Sequence, residues 1–539
     1  MYIDSVEDMY AFSDSVNSGN TYSGKTIKIR NDLDFKGYSE KKNVCGLSST
    51  FEPIGNQSHP FSGKIDGNIK YIKNLTIDKT GNDNVGIFGY AGETASFVGL
   101  NLENITVKGG NNYVGSLIGK AQNSSVKVNE VVAKNVNVIG TGTVGGISGG
   151  YATLTNVIVK SGSVNGNSAY GIQGTQGMVN NSIIENLSIK KTSTNTKIVS
   201  LNYKESYYSN RVTVNGNAQT SGLSENATNN INMYEYAGLD TWIGGDNNST
   251  GYYFDYENDN SNNIVLKSVK KDPITFNLTG AGTQENPYLI KNMKEWKMLA
   301  GVPNRKVYYK INNDIDLSNG HFYMIGSASN PFNGKIDGNL SRLYNLNLDI
   351  APADNVGIFG YVGETASFVG LNLENITVKG GNNYVGSLIG KAQNSSVKVN
   401  EVVAKNVNVI GTGMVGGISG GYATLTNVIV KSGSVNGKSA YGIQGTQGMV
   451  NNSIIENLSI TKTSTNTKIV SLNYKESYYS NKVTVNGTEQ TDGFDSSYID
   501  NLVYYTGKVE TINDGDKNNT GYYFDYVQSK NGIYLTKVK

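Results

Sequence analysis

Short apolar runs recur along this chain in two forms. One is led by glycine: "VGIFG" at 85–89, "VGSLIG" at 114–119, "VGGISG" at 144–149 and "YGIQG" at 170–174. The other opens with Asn and then alternates, as "NLTI" at 74–77, "NITV" at 104–107, "NVNV" at 135–138 and "NLSI" at 186–189. Alternation of apolar and polar positions is the period-two signature of a half-buried strand. The leading glycines Gly86, Gly115, Gly145 and Gly171 lie 29, 30 and 26 residues apart. That spacing suits a coil of three short strands and their turns, stacked on further copies of itself. The pattern predicts an all-β protein built as a parallel β-helix, or β-solenoid.

In such a coil the glycines meet one of two needs, a backbone with positive φ or a close approach of neighbouring coils, and only Gly meets either without a Cβ penalty. The equivalent Asn residues, Asn74, Asn104, Asn135 and Asn186, fall at a corner of successive coils. They read either as a stacked ladder, each amide bonding the next coil, or as turn formers that tolerate the left-handed region. The ladder is the reading adopted.

The pattern then repeats as a whole. Residues 83–216 recur at 354–487 with five differences, Ala91/Val362, Thr143/Met414, Asn167/Lys438, Lys190/Thr461 and Arg211/Lys482. Gly357, Gly386, Gly416 and Gly442 repeat the glycines, and Asn345, Asn375, Asn406 and Asn457 stand where the ladder continues in the second copy. Two tandem units are expected, 1–271 and 272–539. Each opens with a short amphipathic segment, "SVEDMYAFSDSVN" with an S-x-x-D form related to a capping box, and "NMKEWKMLAGV". A capping helix there would cover the open edge of the first coil. Each unit closes on an aromatic phrase, "NSTGYYFDYENDNSNNIVLKSVK" (248–270) and "NNTGYYFDYVQSKNGIYLTKVK" (518–539), expected as a hairpin capping the end of the solenoid. The seven prolines leave 61–272 and 353–539 proline-free, as uninterrupted ladders require.

Composition narrows the function. With 65 Gly, 36 Tyr, 17% charged residues and a formal charge of +2, the chain has no basic stripe of the kind that neutralises phosphate, so nucleic acid is not an expected partner. Cys45 is the single cysteine, which rules out an intrachain disulfide and a Cys-based metal cluster. No apolar run is long enough to span a bilayer, so no membrane insertion is expected within the chain. The N-terminus lacks the features of a secretory signal and the C-terminus lacks an LPxTG-type sorting motif, which suggests a fragment of a larger surface protein.

In their order, these elements resemble the GLUG repeat family of bacterial surface proteins, adhesins and N-terminal regions of IgA-specific zinc metallopeptidases. The resemblance rests on "NPYLIKNMKEWKMLA", "YYKINNDIDL", "MIGSASNPFNGKIDGNL" and "NVGIFGYVG" in the second unit, and on "TIKIRNDLDF", "PIGNQSHPFSGKIDGNI" and "NVGIFGYAG" in the first. The first unit departs from it by about eleven extra residues around Cys45. The family implies a parallel β-solenoid and an extracellular or cell-surface location, but no single activity.

Signs of catalysis are few. His59 and His321 lie in different units and neither begins an H-E-x-x-H motif, so a peptidase domain would have to lie elsewhere. The glycine phrases lack the Lys-Ser/Thr of a phosphate loop. Glu103 and Glu185 each precede a ladder Asn and share a face, the geometry to examine for a β-helix polysaccharide lyase or hydrolase, although two coils would separate them. Asp32 with Asp34, and Asp314 with Asp316, alternate so that each pair emerges on one face, a weak match to a Ca²⁺ site; strand polarity is the preferred reading, and no metal or cofactor is expected. Tyrosines concentrate in "YKESYY" at 203–208 and 474–479, giving Tyr203, Tyr207, Tyr208, Tyr474, Tyr478 and Tyr479 as candidate ligand contacts beside their alternative role in packing.

The function expected is therefore non-catalytic: a monomeric, extracellular stalk or adhesin fragment presenting duplicated faces to a host or matrix protein or glycan. Its alternatives are a carbohydrate-active β-helix enzyme and the targeting stalk of a larger surface metallopeptidase.

Overall fold

The computed structural model describes residues 1–38, 51–223, 250–256, 264–268, 278–300, 305–318, 322, 324–328, 330–495, 520–527 and 532–537. They form two compact units, the first reaching Ser268 and the second starting from Leu278. The predicted boundary between 271 and 272, like Cys45, lies outside the described residues.

The first unit begins with Tyr2–Ile3, paired in parallel with Thr26–Ile29. Between them runs α1 (Val6–Asn17), capped as "S-x-x-D" predicts: the hydroxyl of Ser5 accepts the N–H of Asp8 at 3.1 Å, and the carboxylate of Asp8 accepts the N–H of Ser5 at 3.0 Å. The helix buries Val6, Met9, Phe12 and Val16, and Phe12 meets Phe61 edge-on at 5.8 Å. It thereby covers the N-terminal end of the core. In the second unit α2 (Met293–Ala300) has the same place, with Asn292 accepting the N–H of Glu295 at 3.1 Å and the fully buried Trp296 set edge-on to Phe359 at 5.9 Å.

The body of each unit is a stack of parallel strands, not a sandwich. Ser96–Lys108 lies in parallel register with Lys127–Ile139 (Phe97 on Val128, Leu102 on Ala133, Val107 on Val138). That strand pairs in turn with Thr153–Val159 and Gly162–Gly166 in the next coil. A second wall is built by Phe88–Ala91 on Ile118–Ala121 and by Val114–Gly115 on Thr143–Gly145 and Ser168–Tyr170. Residues of one column, such as Val85, Val114, Val144 and Ala169, are fully or almost fully buried. At about 1.5–3 kcal/mol for each large aliphatic side chain removed from water, these columns are the main source of stability. The second unit repeats the arrangement, with Ser367–Lys379 on Lys398–Ile410.

The corners decide between the options open in the sequence. At the ladder corners the left-handed position belongs to Asn: φ is 61° at Asn74, 55° at Asn104 and 53° at Asn135, with 60°, 54° and 54° at Asn345, Asn375 and Asn406. The leading glycines have no such φ and serve close approach instead. A Cβ on Gly115 would stand 2.4 Å from the carbonyl oxygen of Ile118 and 2.7 Å from that of Ile147. Gly86 and Gly145, and Gly357, Gly386 and Gly416 in the second unit, are likewise crowded by backbone, whereas Gly171 and Gly442 are crowded by the side chains of Ile184 and Ile455.

One expectation is corrected. The aromatic hairpins do not sit at the ends of the coil stacks. Among the described residues the last coil of each stack leads into a tight Asn-Gly turn, Asn215–Gly216 and Asn486–Gly487 with positive φ at all four residues, which reverses the chain from Thr213–Val214 into Asn217–Ala218 and from Thr484–Val485 into Thr488–Glu489. The hairpins Tyr252–Tyr256/Ile264–Ser268 and Tyr522–Val527/Gly532–Lys537 lie along the flank instead. There the hydroxyl of Tyr252 bonds Asp66 and the ring lies over Gly99, while Tyr522 does the same with Asp337 and Gly370. The reason is a column of outward apolar residues. Val403, Ile429 and Ile454 follow one another in register and form a cluster with Phe524 that is separate from the interior core. Their counterparts Val132, Ile158 and Ile183 are likewise buried outside the first core. A solenoid flank with that column uncovered would expose a continuous apolar stripe.

Candidate functional site

The Asn ladder is realised over three coils, and it begins on a carboxylate. Asn74 donates to Asp34 at 2.7 Å, Asn104 to Asn74 at 3.0 Å and Asn135 to Asn104 at 2.8 Å. In the second unit Asn345 donates to Asp316 at 3.4 Å, Asn375 to Asn345 at 3.2 Å and Asn406 to Asn375 at 2.9 Å. Asn186 and Asn457 are corrected: they do not join. The next coil places Ser161 beneath Asn135, its hydroxyl accepting the Asn135 N–H at 3.0 Å, and Ser432 does the same for Asn406. Asn186 therefore lies two coils away and is exposed.

The aspartates weighed for Ca²⁺ have structural partners. Asp34 is bonded by Asn74 and by the N–H of Lys36, which together hold its carboxyl below the usual range. Asp32 accepts the N–H of Tyr71, and Asp314 accepts both the N–H and the guanidinium of Arg342. Among the described residues no three of His, Cys, Asp and Glu converge. His321 lies outside them.

Glu103 and Glu185 do share a column, as expected, with Lys134 and Lys160 on the coils between them. Three coil steps of about 4.8 Å separate their backbones by roughly 14 Å. A pair of catalytic carboxylates works at about 5–9.5 Å. Glu103 is paired with Lys134 at 3.6 Å. Burial pushes the carboxyl of Glu185 up, against the opposing fields of Lys160 and Arg211.

The candidate tyrosines share the last described coil of each unit. Tyr203, Tyr207 and Tyr208 stack on Val179, Ile183 and Ile184. Tyr474, Tyr478 and Tyr479 stack on Val450, Ile454 and Ile455. Tyr203 and Tyr474 are each 39% exposed and Tyr478 is 37% exposed, enough for ligand contact. Tyr208 instead packs against the core and bonds Ser221 at 3.0 Å. Tyr479 donates to Asp492 at 2.7 Å, and burial together with that bond pushes its phenol up to about 12.

Two further features do not stand out in the sequence. The first is a groove of about 460 Å³ between the flank of the second unit and its hairpin, lined by Arg342, Asn372, Glu374, Lys405, Lys431 and Tyr534. Arg342 bridges Asp314 at 2.9 Å and Glu374 at 3.0 Å, Lys405 lies 3.7 Å from Glu374, and Lys431 stands 4.6 Å over the ring of Tyr534. The second is a lysine among three tyrosines, built once in each unit. The ammonium of Lys120 lies 4.8 Å from the ring centre of Tyr113 and 5.7 Å from those of Tyr90 and Tyr151. Lys391 repeats this with Tyr384 at 4.5 Å, Tyr422 at 5.5 Å and Tyr361 at 5.7 Å. The hydroxyls of Tyr113 and Tyr151 bond each other at 3.3 Å, as do those of Tyr384 and Tyr422. That bond, with burial added, pushes Tyr113 and Tyr384 up to about 12, so both phenols stay protonated through neutral pH. The signal in the sequence is that "NNYVG" and "GGYAT" each set a bulky Tyr beside Gly or Asn at a coil corner.

No family model matches the chain. Over 162 residues, 30% of its length, it is 31% identical to halomucin of Haloquadratum walsbyi, and over 119 residues, 21% of its length, it is 31% identical to a protein of Evansella cellulosilytica provisionally named as a Gly-rich membrane protein. These stretches cover 2% and 14% of the two relatives. Among solved structures, a protein of Bacteroides ovatus provisionally described as an immunoglobulin A1 protease aligns over 48% of this chain and 94% of its own at 18% identity, with a TM-score of 0.33. The A-module of the mannuronan C-5 epimerase AlgE6 of Azotobacter vinelandii aligns over 89% of this chain and 95% of its own at 11% identity, with a TM-score of 0.19. At such scores the parallel β-helix rests on the chain's own strand register.

Proposed function

We propose that this chain is a non-catalytic module of a cell-surface protein, a β-solenoid stalk that holds two copies of one binding face toward a host or matrix ligand. The observation that supports the reading most is that exposed and half-buried tyrosines at the surface are built twice. The Tyr113–Tyr151 and Tyr384–Tyr422 bonds are the same length, and the exposure of Tyr203 and Tyr474 is the same. None of the five differences between the copies falls on a candidate tyrosine or on Lys120 and Lys391, although three of them, Asn167/Lys438, Lys190/Thr461 and Arg211/Lys482, are at exposed positions, so a ligand site built on these residues would exist twice. The likeness to stretches of halomucin and of the Gly-rich membrane protein, together with the GLUG resemblance, supports a surface location. The distance between Glu103 and Glu185 and the pairing of Glu374 with Arg342 and Lys405 in the groove speak against glycoside chemistry.

Two weak sites on one chain give avidity through effective concentration. The full chain and a single unit, residues 280–539, are compared on surfaces densely coated with mucin-type glycans or matrix proteins. The expected result is dissociation of the full chain slower by about 10²–10⁴ where both copies can engage. Absence of binding to every coat, with turnover of a polysaccharide instead, would overturn the proposal.

A further inference from the structure

The lysine–tyrosine clusters have a chemistry of their own. Lys120 and Tyr90 are neighbours in register on adjoining coils of the second wall, and both are half-exposed. Tyr113 and Tyr151 reach the cluster from corners with φ of 58° and 73°, and Tyr384 and Tyr422 repeat the same two angles. A positive φ costs a bulky side chain free energy that Asn or Gly would not lose. Two such corners are thus kept in each unit for aromatic rings that meet at 5.6 Å and lean over one cation.

That cation is not neutralised. Among the described residues neither ammonium, of Lys120 or of Lys391, has a hydrogen-bond acceptor or a carboxylate partner, and each faces tyrosine rings instead. The acid whose field reaches Tyr113, Asp83, is turned toward Asn112, accepting its N–H at 2.8 Å and its amide at 2.9 Å; Asp354 holds Asn383 likewise. Of each pair of bonded phenols, one keeps its proton for an outside acceptor. The cluster therefore offers an ammonium with free donors, one phenol donor and apolar ring faces at a half-exposed surface.

A ring cluster that already holds its own cation excludes a cationic ligand. It suits an anion attached to a flat, partly apolar body: the anion meets the ammonium and the phenol, and the body lies on a tyrosine face. We propose that each cluster, Lys120 with Tyr90, Tyr113 and Tyr151, and Lys391 with Tyr361, Tyr384 and Tyr422, is a binding site for an acidic sugar residue, a pyranose bearing a carboxylate or a sulfate. This deepens the surface-binding reading and rests on it for its biological setting.

The full chain is titrated by ligand-observed NMR with three probes sharing one core, 3′-sialyllactose, lactose 3′-sulfate and lactose. At least one charged probe binds and lactose does not, the better charged probe identifies the anion, and binding weakens as salt is raised. Lys120→Met, which keeps the apolar stem, removes about half of the signal; Lys120→Met with Lys391→Met removes it, and the matching Arg pair retains it. Circular dichroism and melting of the double Met variant stay as in the parent, separating lost binding from lost fold. Equal binding of lactose, no binding of either charged probe, or undiminished binding by the folded double Met variant overturns the proposal. Adhesion of the double Met variant to coated surfaces at the parental level would do so too while leaving the surface-binding reading intact.

Discussion

The phenol of Tyr252 donates to the carboxylate of Asp66, 186 residues earlier in the chain, and so ties the aromatic hairpin to an early coil of the same unit. Tyr522 and Asp337 make the equivalent tie across 185 residues. Burial and then the carboxylate push both phenols up, which keeps them protonated donors. A hydrogen bond to a charged acceptor contributes about 1.5–3 kcal/mol. Tyr252→Phe keeps the ring over Gly99 and loses only this bond. Hydrogen exchange in 252–256 and 264–268 should then accelerate by about tenfold or more, with protection of the interior strands unchanged. Unchanged exchange in the hairpin would mean that Phe254 and its apolar neighbours hold it without the tie.

The ladder gives a graded series. Asn104 both donates to Asn74 and accepts from Asn135, and its φ is 55°. Asn104→Ala loses the two bonds and strains the corner, at about 2 kcal/mol or more by urea unfolding. Asn104→Gly relieves the strain and should recover roughly 1 kcal/mol of that loss. Asn186→Ala, at an exposed position outside the ladder, should stay within about 0.5 kcal/mol of the parent. If Asn186→Ala were as costly as Asn104→Ala, the bonds between coils would not be what sets the cost.

The place of Asn186 outside the ladder is visible in its spacing. Asn104 follows Asn74 by 30 residues and Asn135 follows Asn104 by 31, but Asn186 follows Asn135 by 51, which is two shorter coils of 26 and 25 with Ser161 between. The hairpins depart from expectation for a related reason. Alternation alone says which residues face inward, yet "EVVAK", "NVIVK" and "SIIEN" break it by setting apolar residues side by side, at Val131–Val132, Val157–Ile158 and Ile183–Ile184. Adjacent apolar strand positions face opposite sides, so each doubling announces an outer layer. The helical caps and the parallel coils are legible because capping and period-two patterning are local. The lysine–tyrosine clusters are not, because Tyr90, Lys120 and Tyr151 belong to three different coils and meet only through register.

Glu185 and Glu456 supply a pH test. Burial raises both carboxyls above their ordinary value, with Lys160 and Arg211 opposing this for Glu185 and Lys431 for Glu456. A raised carboxyl favours the folded state while it is protonated, so the contribution is complete below the ordinary pKa of Glu and is lost as pH rises through the folded value. Glu185→Gln with Glu456→Gln mimics the protonated form at every pH. The double variant should melt higher than the parent at pH 7, by about 2 °C or more, and the difference should shrink toward zero below about pH 4.3. A lower melting temperature at pH 7 would show that attraction to the neighbouring cations outweighs the loss of hydration.

Val114 probes the independence of the two units. Its side chain is fully buried in a column between Val85 and Val144, and Val385 repeats it between Val356 and Val415. A carboxylate placed there must lose its hydration or take up a proton, at a cost of about 4 kcal/mol or more. Val114→Asp should therefore lower one calorimetric transition, that of the first unit, and leave a second transition at the parental temperature. Val385→Asp should do the reverse. Residues 280–539 alone contain α2, every coil of the second unit, its Asn-Gly turn and its flank hairpin, and should fold with the melting temperature of the transition that Val114→Asp spares. If either Asp variant shifted both transitions together, or if 280–539 gave no cooperative unfolding, the duplicated halves would form one cooperative solenoid and not two modules in tandem.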